Sequence, residues 1–208
     1  MKVVDLSHLL NPQISVFPGT LPPVFDEIDI EGYTELKITM FTHSATHIDA
    51  PCHILKNTKS LDKFPAEKFI GKGIVIDCKN LRNKSITVSF LKQHEALIKQ
   101  THFILFNSGW SAKWKSPDYF ENFPTLTAEA ALWLTQFNLK GIGLDSISLD
   151  EVDDLNLPNH KIVLEKEILI IENMTNLDSI NGDFIFQCFP IKIENADGSP
   201  VRAVAVLQ

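Results

Sequence analysis

Residues 43–53 hold three of the chain's seven histidines together with an aspartate, inside the run Phe-Thr-His-Ser-Ala-Thr-His-Ile-Asp-Ala-Pro-Cys-His-Ile-Leu at 41–55. Neutral imidazole and carboxylate in one short segment suit zinc, manganese or iron(II). No cysteine pair accompanies them, and closed structural zinc sites usually draw on thiolates, so the cluster reads as an open, hydrolytic metal site. The spacing also restricts the backbone. On an α-helix His43 and His47 would share a face, but Asp49 would point roughly 240° round from His43 at about 100° per residue. In an extended segment His43, His47, Asp49 and His53 have the same parity and project to one side, yet a straight strand would spread the first and last over roughly 33 Å at ~3.3 Å per residue. The segment must therefore be extended and curl. The bend is expected at Ala50-Pro51, because proline fixes its own φ and biases the residue before it away from helix. Small Ser44 and Ala45 let the backbone pass close to an ion.

Around this segment, short apolar runs rich in Ile, Val and Phe and bounded by Gly, Asn, Asp or Pro predict strands over 3–6, 35–41, 74–77, 103–106, 141–144, 168–171, 184–193 and 201–207. Two amphipathic stretches predict helices: 89–100, with Phe90, Leu91, His94, Leu97 and Ile98 on one face, and 128–137, which follows Thr127 as a cap. Residues 107–127 read as a long loop. Strands outnumber helices and the late part of the chain is nearly all strand, which predicts an α/β fold with a mixed sheet. At 208 residues, 44% hydrophobic and 22% charged, the chain suits one well-buried domain over 1–208.

A net charge of −7 and a pI near 5.5 give no attraction to phosphate backbones, and no basic run interleaved with aromatics is present, so neither nucleic acid nor an anionic membrane is an expected partner. Cys52, Cys78 and Cys188 are odd in number and widely spaced, which fits reduced thiols. In Met-Lys-Val-Val-Asp-Leu-Ser-His the acid and the histidine interrupt any signal-peptide core, and no stretch approaches the roughly 20 apolar residues of a membrane helix. A cytoplasmic enzyme is expected.

The run His43-Ser44-Ala45-Thr46-His47-Ile48-Asp49-Ala50-Pro51-Cys52-His53 resembles the signature His-x-Gly-Thr-His-x-Asp-x-Pro-x-His of the cyclase-type metal-dependent hydrolases, the family that holds bacterial kynurenine formamidase and isatin hydrolase. Ala45 replaces the glycine, a residue that often marks positive φ. The resemblance continues through Asp5-Leu6-Ser7-His8 and Val16-Phe17-Pro18-Gly19, where Thr20 stands in place of a common aspartate. It resumes at Gly141-Ile142-Gly143-Leu144-Asp145-Ser146 and at Gly198-Ser199-Pro200-Val201-Arg202-Ala203. It implies a swivelling β/β/α fold. It also implies that His160 and Glu172, at the spacing of the formamidase branch, complete a second metal site; isatin hydrolase is similar but carries glutamine at the glutamate position. On that resemblance the expected loading is two zinc ions with Asp49 bridging, with manganese as the alternative, and the expected assembly is a homodimer or higher homo-oligomer.

Such a site activates water and polarises a carbonyl, so hydrolysis of an amide or ester becomes feasible at neutral pH. His53, just past the ligand candidates and of the same parity, is the natural proton shuttle, since an imidazole with a pKa near ~6.5 can both take and return a proton. The reading that follows is a metal-dependent hydrolase of a small amide, similar to kynurenine formamidase. The alternatives are an isatin-hydrolase-like enzyme with one manganese acting on a cyclic amide or lactone, and a non-catalytic metal- or ligand-binding protein, which would have no need of His53. Ser108-Gly109-Trp110-Ser111 is not a Gly-x-Ser-x-Gly elbow, so a serine hydrolase is disfavoured. His8, His94 and His102 read as structural, Cys52 as a packing residue, and Trp110 and Trp114 as core or interface anchors.

Overall fold

Phe103–Asn107 buries every side chain, and the pleat sends Phe103 and Leu105 into one hydrophobic cluster and Ile104 and Phe106 into another. A strand wet on neither face belongs inside a sheet covered on both sides. The computed structural model describes residues 1–81 and 84–208, and among them the strands in chain order are β1 (Lys2–Asp5), β2 (Val24–Ile30), β3 (Tyr33–Thr39), β4 (His47–Asp49), β5 (Ile70–Asp77), β6 (Ser85–Ile86), β7 (Phe103–Asn107), β8 (Thr125–Leu126), β9 (Gly141–Leu144), β10 (Leu169–Glu172), β11 (Phe184–Gln187), β12 (Gly198–Pro200) and β13 (Val204–Leu207). Nine of these form one sheet in the order β1-β13-β11-β5-β7-β9-β10-β4-β12. Pairing is parallel across β5, β7, β9 and β10 and antiparallel elsewhere. This is the expected α/β fold with a mixed sheet.

The sheet curls. Val4 near one edge and Ile48 near the other share a single cluster with Phe103, Leu169, Phe184 and Phe186, and the chain leaving β1 crosses to the far side, where Thr175 N–H donates to the Leu6 carbonyl at 3.0 Å. The outer face carries α1 (Val88–Lys92), α2 (Glu95–Ile98), α3 (Ala128–Leu134) and α4 (Pro158–Glu165), whose Leu91, Ile98, Leu134 and Val163 pack on Ile76, Ile104, Ile142 and Ile170. Burying each such side chain contributes about 1.5–3 kcal/mol.

Several elements differ from the sequence reading. The helix expected at 89–100 is two short helices, because His94 takes φ −109° and ψ 4° between them. The helix expected at 128–137 ends at Leu134, although Thr127 caps it as anticipated, its hydroxyl accepting from Ala130 N–H at 3.2 Å. The strand expected at 184–193 stops at Gln187. The 107–127 loop folds into 3-10 turns at Trp110–Lys113 and Pro117–Phe120. Helix α4 was not foreseen: Leu-Pro-Asn reads as a turn, but Pro158 occupies the first helical turn, where a missing N–H costs nothing. Strand β2 was hidden by its acids. It pairs with β3 in a hairpin apart from the main sheet, and Ile28, Tyr33, Leu36 and Ile38 on it are 41%, 57%, 52% and 43% exposed.

Candidate metal centre

The curl demanded by residues 43–53 is built from three conformations. Ala45 sits at φ +54°, so this alanine adopts the left-handed backbone that glycine would take without strain, at a cost of roughly 1–2 kcal/mol. His47–Asp49 then forms β4, and Ala50-Pro51 opens the 3-10 turn Pro51–His53. The turn brings His53 back over His43, with ring centroids 3.9 Å apart and His47 at 5.0 Å from His43. Strand β4 is short but held on both sides: His47 pairs with Glu172 and Asp49 with Ile170 on β10, while Asp49 pairs with Gly198 on β12. Ile48 points into the core, which leaves His47 and Asp49 facing away from it. Gly198 lets the His43 ring lie against the backbone. A Cβ there would lie 2.6 Å from Cε1 of His43.

Two groups of donor atoms meet at the Asp49 carboxylate. In the first, Oδ1 of Asp49 lies 2.8 Å from Nδ1 of His43 and 3.3 Å from Nε2 of His47. In the second, Nε2 of His160 lies 3.3 Å from Oε1 of Glu172 and 3.9 Å from Oδ2 of Asp49. Nε2 of His47 and Oε2 of Glu172, 3.4 Å apart, join the two groups. The outer ring nitrogens are engaged elsewhere. Nδ1 of His47 faces the Ala45 carbonyl at 2.8 Å, and Nδ1 of His160 faces Asp150 at 2.7 Å. Asp150 also accepts the N–H groups of Asn159 and His160 at the start of α4. These contacts favour tautomers whose Nε2 lone pairs point at the carboxylates, the arrangement typical of metal-ligating histidine.

The residues fit a cation. Among the described residues, Oδ1 of Asp49 is buried and makes no hydrogen bond of acceptable geometry although two imidazole nitrogens surround it; donor atoms that converge on a common point, not on each other, leave such an orphan. His43, His47 and Asp49 on one side, and Asp49, His160 and Glu172 on the other, each offer atoms within 4.8 Å of one another. The electrostatics agree. Burial pulls the His47 imidazole down, but Asp49 and then Glu172 outweigh it and raise its pKa to about 10. Burial is likewise outweighed at His160, by Asp150 and Glu172, to about 10, and at His43, by Asp49 and Asp197, to about 9. Asp49, despite complete burial, is held well below the usual carboxylate range by His43 and His47. Burial and Asp49 push the Glu172 carboxyl up, yet the His160 and His47 imidazoles beside it bring it below its ordinary value. The centre attracts positive charge strongly.

All six residues singled out in the sequence, His43, His47, Asp49, His53, His160 and Glu172, therefore come together. His160 does so from helix α4. One participant escaped the sequence reading. Asp197, just before β12, receives Nε2 of His43 at 3.1 Å, Nδ1 of His53 at 3.3 Å and the Thr42 hydroxyl at 2.9 Å. The only signal for it was its place beside the Gly198-Ser199-Pro200 run. Cys52 points away, its thiol near the Ala196 carbonyl. Trp110 and Trp114 pack with Tyr119, Phe123 and Ile147, and Trp114 stacks on His8. Above the centre lies a cavity of about 310 Å³ with Phe17, Phe41, Ile147 and Leu157 as apolar walls and His53, His160, Glu172 and Asp197 at its polar end. Its size is that of a small-molecule site.

The Cyclase family model, described as "Putative cyclase", matches residues 4–151. The chain belongs to the cyclase family of metal-dependent hydrolases. Among curated members, it is 30% identical to kynurenine formamidase of Bacillus anthracis over 210 residues, covering 98% of this chain and 96% of the relative. It is 32% identical to that of Bacillus cytotoxicus, covering 97% and 95%. Among solved structures, isatin hydrolase A from Labrenzia aggregata superposes with a TM-score of 0.88 at 25% identity over 99% of this chain and 93% of that one. The enzyme from Ralstonia solanacearum does so with 0.86 at 25% over 100% and 92%. Among the described residues, no helix is long and apolar enough to cross a membrane.

Proposed function

We propose that this cyclase-family protein hydrolyses the formamide bond of a small N-formyl arylamine, as the name kynurenine formamidase describes for its curated relatives. The observation that carries the reading is the single Asp49 carboxylate shared by two ligand groups beneath an aromatic-walled cavity. His43, His47 and Asp49 would hold one divalent ion and Asp49, His160 and Glu172 a second, with zinc the expected metal. Bound there, the ions supply a Lewis acid for the carbonyl and acidify water from pKa 15.7 to about 7. The remaining chemistry falls to the chain's own side chains. Phe17, Phe41, Ile147 and Leu157 exclude bulk water and seat an aryl ring. His53 moves a proton at Nε2, taking it from the attacking water and giving it to the leaving nitrogen, while its Nδ1 stays engaged with Asp197.

Two further parts of the reading have their own support. A homodimer is expected because the β2–β3 hairpin exposes Ile28, Leu36 and Ile38, and an isolated two-stranded ribbon is marginal unless something packs on it. A reducing, cytoplasmic setting is expected because Cys52, Cys78 and Cys188 are all free thiols. An isatin-hydrolase-like reading, with one ion and a cyclic amide substrate, is favoured by the structural neighbours and opposed by Glu172.

Elemental analysis of purified wild type and His47→Ala, followed by a screen of N-formyl arylamines, lactams and lactones, tests the proposal. Stoichiometric divalent metal lost in the variant, with turnover of formamides, is expected. Metal content equal in the two proteins, or turnover confined to lactams, overturns it.

A further inference from the structure

Asp197 stands outside the two ligand groups that share Asp49, although with His43 and His53 it too offers atoms within 4.8 Å of one another. One oxygen, Oδ2, meets two imidazoles at once, Nε2 of His43 at 3.1 Å and Nδ1 of His53 at 3.3 Å, while Oδ1 accepts from Thr42 at 2.9 Å. The two rings it joins are tilted against each other, 3.9 Å apart with 33° between their planes. Its placement comes from the backbone. The Asp197 carbonyl accepts Ala50 N–H at 2.8 Å, and the next residue, Gly198, pairs with Asp49, so β12 fixes the carboxylate to the strand that carries the candidate ligands. Thr42 then fixes its rotation.

From this geometry we infer that Asp197 is the positioning residue of the acid–base histidine, holding His53 as the Nδ1–H tautomer so that Nε2 faces the cavity as a proton acceptor. A neutral imidazole carries one N–H. A carboxylate acceptor at Nδ1 keeps that hydrogen there and leaves the lone pair on Nε2, as a buried carboxylate does for other general-base histidines. The same oxygen accepts from Nε2 of His43, which leaves the Nδ1 lone pair of that ring facing Asp49. An ion held at Nδ1 of His43 would by itself keep that ring's hydrogen on Nε2, so the tautomer that depends on Asp197 is that of His53. The assignment rests on the proposed role of His53.

Asp197→Asn tests it with the metal-loaded protein, since the amide keeps the shape of the side chain and loses its charge. Imidazole ¹⁵N NMR of His53 is expected to move from the Nδ1–H form toward the Nε2–H form, with metal content and thermal midpoint near wild type. On an accepted formamide kcat should fall about 10–100-fold, the usual effect of losing an outer-shell partner, with KM within about twofold. Asp197→Glu should recover part of the loss. In a His53→Ala background, Asp197→Asn should have no further effect. An unchanged His53 tautomer, loss of metal in Asp197→Asn, or an equally large fall in the His53→Ala background each overturns the inference. If no amide is turned over by the wild type, the functional proposal fails while the His53 tautomer still decides the role of Asp197.

Discussion

His47 and Glu172 are direct cross-strand partners on β4 and β10, and their side chains emerge on the same face with Nε2 and Oε2 3.4 Å apart. Directly opposed residues in an antiparallel pair have Cβ atoms about 4.5–5.5 Å apart, so the register of this one ladder sets the separation of the two ligand groups. A slip of one residue by either strand would turn that strand's side chain into the core.

On the proposed function, Glu172 is the residue that separates two ions from one. Glu172→Gln keeps the shape and removes the charge, so metal content at saturating zinc should fall from two ions per chain to one, measured by elemental analysis after gel filtration. Two ions retained in the variant would mean that Glu172 does not hold one.

His53 should separate binding from chemistry. On the proposed function His43, His47 and Asp49 supply the three ligands of an open catalytic site, so His53→Ala should keep wild-type metal content while turnover falls by about 10²–10⁴, the usual contribution of a positioned acid–base group. Loss of metal in the variant would instead make His53 a ligand.

The exposed hairpin gives a test of assembly. Leu36 lies on β3 two residues before Ile38, whose cross-strand partner is Phe25, and together they form an apolar strip on the ribbon. Replacing Leu36 and Ile38 by Lys should convert a dimer to monomer in sedimentation without unfolding the main sheet, whose strands do not include the hairpin. A wild-type protein that sediments as a monomer, or a variant that remains dimeric, removes the hairpin from the interface.

His8 gives a stability test away from the centre. Burial, and secondarily the Lys115 ammonium, lower its pKa from 6.5 to about 4, and its Nε2 is buried without a partner among the described residues. Between those two pH values the unfolded chain binds a proton that the folded chain does not, so the folded state loses stability as pH falls from about 6.5 to about 4. His8→Phe retains an aromatic ring for the stack on Trp114, whose centroid is 4.2 Å away, and should flatten the thermal midpoint across that range. An unchanged slope would exclude His8 as a source of acid sensitivity.

The sequence alone determined that residues 43–53 are extended and curl, bringing their ligand-type side chains to one place, because four such side chains of one parity and a proline bend are local facts that need no other segment. It also marked the buried strands, since runs such as Phe103–Asn107 have no wet face to accommodate polar residues. It did not determine Asp197. A carboxylate 144 positions from His53 becomes its neighbour only because β12 docks on β4, and strand order and register are properties of the whole sheet. The helix carrying His160 was likewise hidden: at eight residues it is too short to be stable by its own propensity, and it forms because Val163 and Leu164 pack on the sheet. The tertiary structure decided whatever depends on contacts between distant segments, because chain separation carries no information about spatial distance until the sheet has closed.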